Sequence, residues 1–170
     1  MTTKKEASYW IKQLNLSPSL EGIYTRETYK SDEYIGEDAL PDRFYGKRPY
    51  LNTFYLLLQN KDLFRFIKTN QEECWHYYTG TSPIVIETIS EKGVRRSIKL
   101  GSDLSEFEYF QYVIPHDTWF AAYLQNEDGY ALIGITASPS LDKSDVKKGK
   151  FRDLILKYPS QLELITRLCY

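Results

Sequence analysis

The chain has 170 residues, of which 42% are apolar and 26% charged, with 22 Lys and Arg against 23 Asp and Glu. Those proportions fit one globular domain and exclude a disordered or fibrous chain; at this length roughly 70% of the unfolded surface can be buried, enough for a core without staples. A formal net charge of −1 offers no pull on phosphate backbones, two cysteines make no disulfide framework, and no run of about 18 apolar residues supplies a membrane span, so neither nucleic-acid nor membrane partners are expected and the cytoplasm is the expected location.

Thr3 followed by Glu6 has the form of a capping box, and Ala7, Trp10, Ile11 and Leu14 then recur at helical spacing, which predicts a short amphipathic N-terminal helix. From Gly22 the texture changes to short runs rich in β-branched and aromatic residues, over 50–58, 63–68, 74–79, 84–89, 94–99, 108–114, 119–124 and 130–137. Polar turns containing Asn60, Gly80, Gly93, Gly101 and Gly129 separate them, and strands at this spacing predict an all-β sandwich or barrel. The segment 31–48 carries charges with Gly36, Pro41 and Gly46 and reads as a loop or a lid. After Pro139 helical spacing returns, with Phe151, Leu154, Ile155 and Tyr158 on one face and Leu162, Ile165 and Leu168 on the next. Two short C-terminal helices over one end of the barrel are expected. A single domain is predicted, with helix and arm over 1–20, the β body over 21–138 and a helical segment over 139–170.

The chemistry available is narrow. His76 and His116 are the chain's two histidines, so a histidine-rich metal site cannot be built. His116 falls in a turn-like segment, and Cys74 on its strand reads as a small hydrophobe rather than a nucleophile. No phosphate-cradling GxxxxGK[ST] or GxGxxG signature occurs.

The segment 66–80 runs strand, polar turn, strand and glycine, through Glu73, Trp75, His76, Tyr77 and Gly80. Together with Leu14-Asn15-Leu16, Glu21-Gly22, Arg26-Glu27-Thr28-Tyr29, Thr53-Phe54-Tyr55-Leu56-Leu57, Gln111-Tyr112-Val113-Ile114-Pro115, Trp119-Phe120-Ala121-Ala122 and Tyr130-Ala131-Leu132-Ile133-Gly134, it resembles the small-protein branch of the cupin superfamily labelled predicted sugar epimerases. The resemblance covers nearly the whole chain, from about Tyr9 to Leu168. It implies a double-stranded β-helix, or jelly roll, forming a homodimer. The departures are informative: Glu73 and Gly80 keep the general cupin spacing, but the two early histidine positions fall on Ile67 and Thr69 and the late one on Phe120. A transition-metal site needs about three or four donors in defined geometry, so neither metal nor cofactor is expected. The motifs near the two ends also differ, reading Ser19-Leu20-Glu21-Gly22-Ile23 and Pro139-Ser140-Leu141.

Period-two alternation puts Glu73, Trp75 and Tyr77 on one face of their strand and His76 and Tyr78 on the other. A carboxyl among aromatic rings is desolvated and becomes a proton donor or acceptor near neutral pH. The catalytic candidates are Glu73 and His76; the ligand-binding candidates are Arg26, Tyr55, Trp75, Tyr77, Gln111 and Trp119. The plain alternative for Glu73 is an ion pair with Arg26, Arg48 or Lys68. The functional expectation is a metal-independent cupin binding a sugar-like or carbonyl-containing metabolite, with epimerase- or isomerase-like proton transfer through Glu73 as its enzymatic form. The alternative is a non-catalytic, partner-binding dimer whose barrel is filled by Phe66, Ile67 and Phe120.

Overall fold

A computed structural model describes residues 6–170. In chain order the elements are α1 (Ala7–Gln13), β1 (Ser17–Pro18), β2 (Tyr24–Lys30), β3 (Tyr34–Ile35), β4 (Arg48–Pro49), β5 (Asn52–Gln59), β6 (Leu63–Thr69), β7 (Glu72–Gly80), β8 (Ile84–Ile89), β9 (Arg95–Leu100), β10 (Glu108–Tyr109), β11 (Gln111–Ile114), β12 (Trp119–Leu124), β13 (Tyr130–Ser138), β14 (Val146–Lys148), α2 (Phe151–Lys157) and α3 (Leu162–Leu168). Two six-stranded sheets face each other, ordered β1-β2-β5-β13-β7-β11 and β10-β9-β8-β12-β6-β14. This is an all-β jelly roll with short terminal helices. Alternate residues interdigitate between the sheets, among them Leu56, Leu58, Trp75, Ile86, Phe120 and Ile133, as a two-layer sandwich requires.

The run 108–114 is not one strand. Its first part, β10, pairs parallel with β9, whereas β11 pairs antiparallel with β7 in the other sheet. The chain therefore changes sheets at Phe110 and closes that side of the barrel. On the opposite side the outer strands are β1 and β14, and the seam between them stays open. Both β2 and β14 lie outside the predicted runs. The alternation in β2 is hidden because only Tyr24 and Thr25 are even half-buried, and β14 is too short to show a period.

The terminal helices lie on the faces of the sheets rather than over an end. Trp10, Ile11 and Leu14 of the N-terminal segment pack with Leu57, Tyr130 and Leu132 on the outer face of the first sheet. Glu6, the cap position of α1, makes no capping bond, and the Thr3 half of the expected capping box lies outside the described residues. α2 and α3 cover the outer face of the second sheet, where Leu154, Tyr158, Leu164, Ile165 and Leu168 meet Phe66, Ile89 and Trp119. The predicted stripe holds at Leu154, Tyr158, Ile165 and Leu168, which are buried, whereas Phe151 and Leu162 are exposed and Leu164 is buried in addition. A bulge shapes the strand beneath these helices. Between Phe120 and Ala122 the β12 register on β6 slips, so Phe64 and Ile67 both point inward while Phe66 points out to the helices.

The segment 31–48 is bolted down. Arg48 is buried and grips Asp145 with two hydrogen bonds, Nε to Oδ2 at 2.9 Å and Nη2 to Oδ1 at 2.8 Å. Its remaining nitrogen, Nη1, donates to the carbonyl oxygens of Tyr45, Gly46 and Lys47. Gln71 donates to Asp145 and to the Ser140 carbonyl oxygen, and Asn70 donates to the Arg43 carbonyl oxygen and to Asp145. Three distant stretches thus form one polar plug beside the β6–β7 turn.

Gly80 ends β7 where the β7 and β13 backbones come close. A Cβ there would press on the Tyr130 carbonyl oxygen and stand 2.9 Å from the Ala131 Cα. The β13 backbone cannot yield as a side chain would, so Gly80→Ala should cost about 1–3 kcal/mol, read as a lower urea midpoint at unchanged slope.

Candidate functional site

Between the sheets lies a cavity of 590 Å³ that opens at the seam. Its walls are Ile23, Phe54, Leu56, Phe64, Ile67, Ile135 and Val146, and its polar groups divide into two sets. At the exposed end stand Ser19, Glu21, Lys143, Lys148 and Tyr170; buried within is Glu73, 2% exposed.

Glu73 is held by its neighbours without a countercharge. The Trp75 indole Nε1 donates to its Oε2 at 3.0 Å, and the Thr69 hydroxyl bonds to its Oε1 at 3.0 Å. The three cations named above as its alternative partners are engaged elsewhere: Arg48 with Asp145, Lys68 with Asp117, and Arg26 with the Leu14 carbonyl oxygen. Burial pushes the Glu73 carboxyl above its ordinary value, and the bonds from Trp75 and Thr69 offset only part of that rise. Thr69 suits both protonation states, because a hydroxyl can donate to the carboxylate or accept from the carboxyl. In the second case it turns its own hydrogen to the Gln71 carbonyl oxygen, 3.3 Å away.

The expected alternation along β7 is observed. Trp75 is fully buried beneath the cavity wall, edge-on to Phe64 and Phe120. Tyr77 faces the same interior and its hydroxyl donates to the Ser82 carbonyl oxygen at 3.3 Å; burial, with Glu108 and Tyr130 nearby, pushes it up to about 12. It stays protonated at neutral pH.

Trp75 and Tyr77 face the interior without lining the cavity, and the other candidates lie outside it. Arg26, Tyr55, His76 and Gln111 lie in a single cross-strand row on the outer face of the first sheet, running Arg26, Tyr55, Gly134, His76 and Gln111. The reason is phase. Phe54 and Leu56 point inward and so turn Tyr55 outward, and the inward Trp75 and Tyr112 do the same to His76 and Gln111. Tyr78 lies over Gly134, where a Cβ would run into its ring, and packs edge-on to Tyr55. Trp119 also points out, into the α2–α3 core. Cys74 is raised by burial, the reverse of an activated thiol, and His116 pairs with Asp117 at a half-exposed turn.

The positions where the resemblance implies metal ligands do come together. Ile67 pairs with Phe120 across the β6–β12 ladder, and Thr69 touches Glu73. An alkyl group, a phenyl ring, a hydroxyl and one carboxylate do not fit a transition-metal ion, which asks for nitrogen, sulfur or several carboxylate donors. No other group of three or more His, Cys, Asp or Glu with metal-binding geometry occurs among the described residues.

Sequence reasoning named Glu73 but missed Lys143, Lys148 and Tyr170. No motif marks these three: they reach the cavity because β14 pairs beside β6 and the chain end folds back onto the seam.

A family model described as "Cupin superfamily (DUF985)" matches residues 8–148. No curated protein matches the chain. Among solved structures, a hypothetical protein from Leishmania major superposes with a TM-score of 0.86 at 24% identity, covering 98% of this chain and 99% of that one. A protein from Shewanella oneidensis gives 0.85 at 24% identity over 98% and 99%. A Streptomyces nucleoside dehydratase whose structure carries uridine gives 0.51 at 12% identity over 86% and 90%. At these identities the likeness carries the fold alone. No helix among the described residues is long and apolar enough to cross a membrane.

Proposed function

The chain belongs to the cupin superfamily, in the family described as DUF985, and from that premise we propose that it binds a small carbonyl-containing metabolite with an apolar body, without a metal, in the cavity that ends on Glu73. The observation that carries this reading is a buried carboxyl with no countercharge among the described residues, at the inner end of an apolar cavity. A carboxyl retained there in spite of its desolvation cost is the arrangement by which a site obtains a proton donor or acceptor near neutral pH.

The walls favour such a ligand over a sugar. Hydroxyls lying along Phe54, Leu56, Phe64, Ile67 and Ile135 would lose their water partners, at about 1–3 kcal/mol each. The other titratable groups that line the cavity stand at its exposed end. Proton transfer is therefore supported on one face of a bound carbonyl compound, and a two-base exchange lacks its second group. An open cavity of 590 Å³ counts against the alternative of a filled barrel. Its size lies within the range of small-molecule sites, about 300–1,000 Å³. The homodimer is likewise a proposal, supported by the uncovered part of the first sheet's outer face, where Tyr29, Tyr78 and Val113 are exposed.

Native mass spectrometry of the protein as purified from cells tests these points together. The expected spectrum is a dimer carrying an organic adduct that is released on denaturation, with no metal mass. A monomer would remove the dimer, and a stoichiometric metal ion in wild type that is lost in Glu73→Gln would overturn the site.

A further inference from the structure

We infer that the open seam selects an anionic amphiphile, a medium-chain molecule whose negative head lies at Lys143 and Lys148 while its chain runs inward along the apolar wall. The inference rests on the reading of the cavity as a ligand site and adds the charge and shape of what enters it.

Polarity in the cavity is segregated. Phe54, Leu56, Phe64, Ile67, Ile135 and Val146 line its body, whereas the lining groups that ionise near the surface are Glu21, Lys143 and Lys148. Glu21 is already committed. It accepts from Lys148 Nζ at 2.8 Å and from the Tyr170 hydroxyl, and the Lys148 ammonium lies 4.4 Å from the Tyr170 ring centroid. Those bonds hold the Glu21 carboxyl below its ordinary value against the opposing effect of burial, so the acid at the mouth is neutralised in place. Lys143 makes no ion pair among the described residues and is exposed. Among the described lining groups at the mouth, two ammonium groups stand against one carboxylate.

The seam itself suits such a ligand. Its edges are β1 with the turn through Gly22, and β14, whose Val146 and Lys148 pair with Thr69 and Ile67 of β6. Along β14 the inward side therefore changes from apolar to cationic within two residues, toward the opening. A head group placed there keeps much of its hydration, and the desolvation that makes a buried charge costly is avoided. The chain meanwhile exchanges water for aliphatic and aromatic contacts, which is the favourable term. A cationic amphiphile would meet like charge, and a neutral one would leave the lysines unused.

The test is titration calorimetry with three probes of equal chain length below their micelle concentrations: decanoate, decanol and decyltrimethylammonium. Decanoate should bind best and the cation worst. In Lys143→Gln the decanoate dissociation constant should rise about three- to five-fold, the scale of one exposed ion pair, with decanol unchanged. In 0.5 M salt the wild-type preference should shrink toward that of the variant. Equal affinity for decanoate and decanol, or a Lys143→Gln variant that binds decanoate as well as wild type, overturns the anionic head while leaving the cavity reading intact. If none of the three probes binds, that reading fails together with this inference.

Discussion

Arg48→Ala should lower the unfolding free energy by about 3–5 kcal/mol, the usual cost of removing one partner from a buried ion pair. For a chain of this size that is a drop in melting temperature of roughly 6–20 °C, read by calorimetry. The magnitude follows from what is left behind. Asp145 is 4% exposed and would keep only neutral donors, from Gln71, Asn70 and the Asp142 N–H, while the carbonyl oxygens of Tyr45, Gly46 and Lys47 would lose their common donor. A paired replacement, Arg48→Met with Asp145→Leu, should recover much of the loss because no charge is then stranded. A single-variant loss below about 1 kcal/mol would mean that the plug does not hold this end of the barrel.

The pair also carries a pH signature. Burial raises Asp145, but the Arg48 and Gln71 bonds outweigh it and hold the carboxyl below its ordinary value of 3.8. Its contribution is therefore complete above that value and is lost as pH falls through the lower, folded-state one.

Glu73→Gln should have the opposite pH signature and a large effect on binding. The folded-state value of Glu73 is raised above the ordinary 4.5, so its stabilising contribution is complete below 4.5 and is lost as pH rises through the folded-state value. Glutamine has nearly the same shape, can accept from Trp75 and can donate to Thr69, and does not titrate. The variant should therefore match wild type within about 1 kcal/mol at pH 4. At pH 8 it should exceed wild type, because the folded carboxyl has by then lost the contribution that it makes at low pH. The same change should lower the occupancy of the organic adduct expected in the native mass spectrum, because an amide N–H is a weaker donor to a carbonyl oxygen than a carboxyl O–H. A residue that weakens the fold at neutral pH but is needed for the ligand has the trade-off expected of a functional group. Glu73→Gln that is less stable than wild type at both pH values would instead make the carboxyl a structural member of the barrel.

How much of this was legible in the sequence depends on the range of the interactions involved. Alternation within a strand is local, so the shared face of Glu73, Trp75 and Tyr77 could be read from β7 alone, as could the two-sheet β class and the terminal helices. The motif positions Ile67, Thr69 and Phe120 likewise announced a donor set that does not suit a transition metal. Local pattern says which residues share a face but not which face looks inward. Tyr55, His76 and Gln111 are as polar-aromatic as a cavity wall could be, yet pairing with inward-pointing neighbours turned them to the outside. The bulge in β6 moved Phe66 to the helices, and the switch of sheets at Phe110 divided a continuous-looking strand.

The sequence by itself determined the fold class, the buried carboxyl and its aromatic neighbours. Only the tertiary structure decided where the cavity opens, that Lys143, Lys148 and Tyr170 stand at its mouth, and that Arg48 is spent on Asp145 rather than on Glu73. Each of those outcomes joins residues about 70 to 150 positions apart. Such contacts are set by sheet order and closure of the whole barrel, whereas a period of two residues is set by the backbone of one strand.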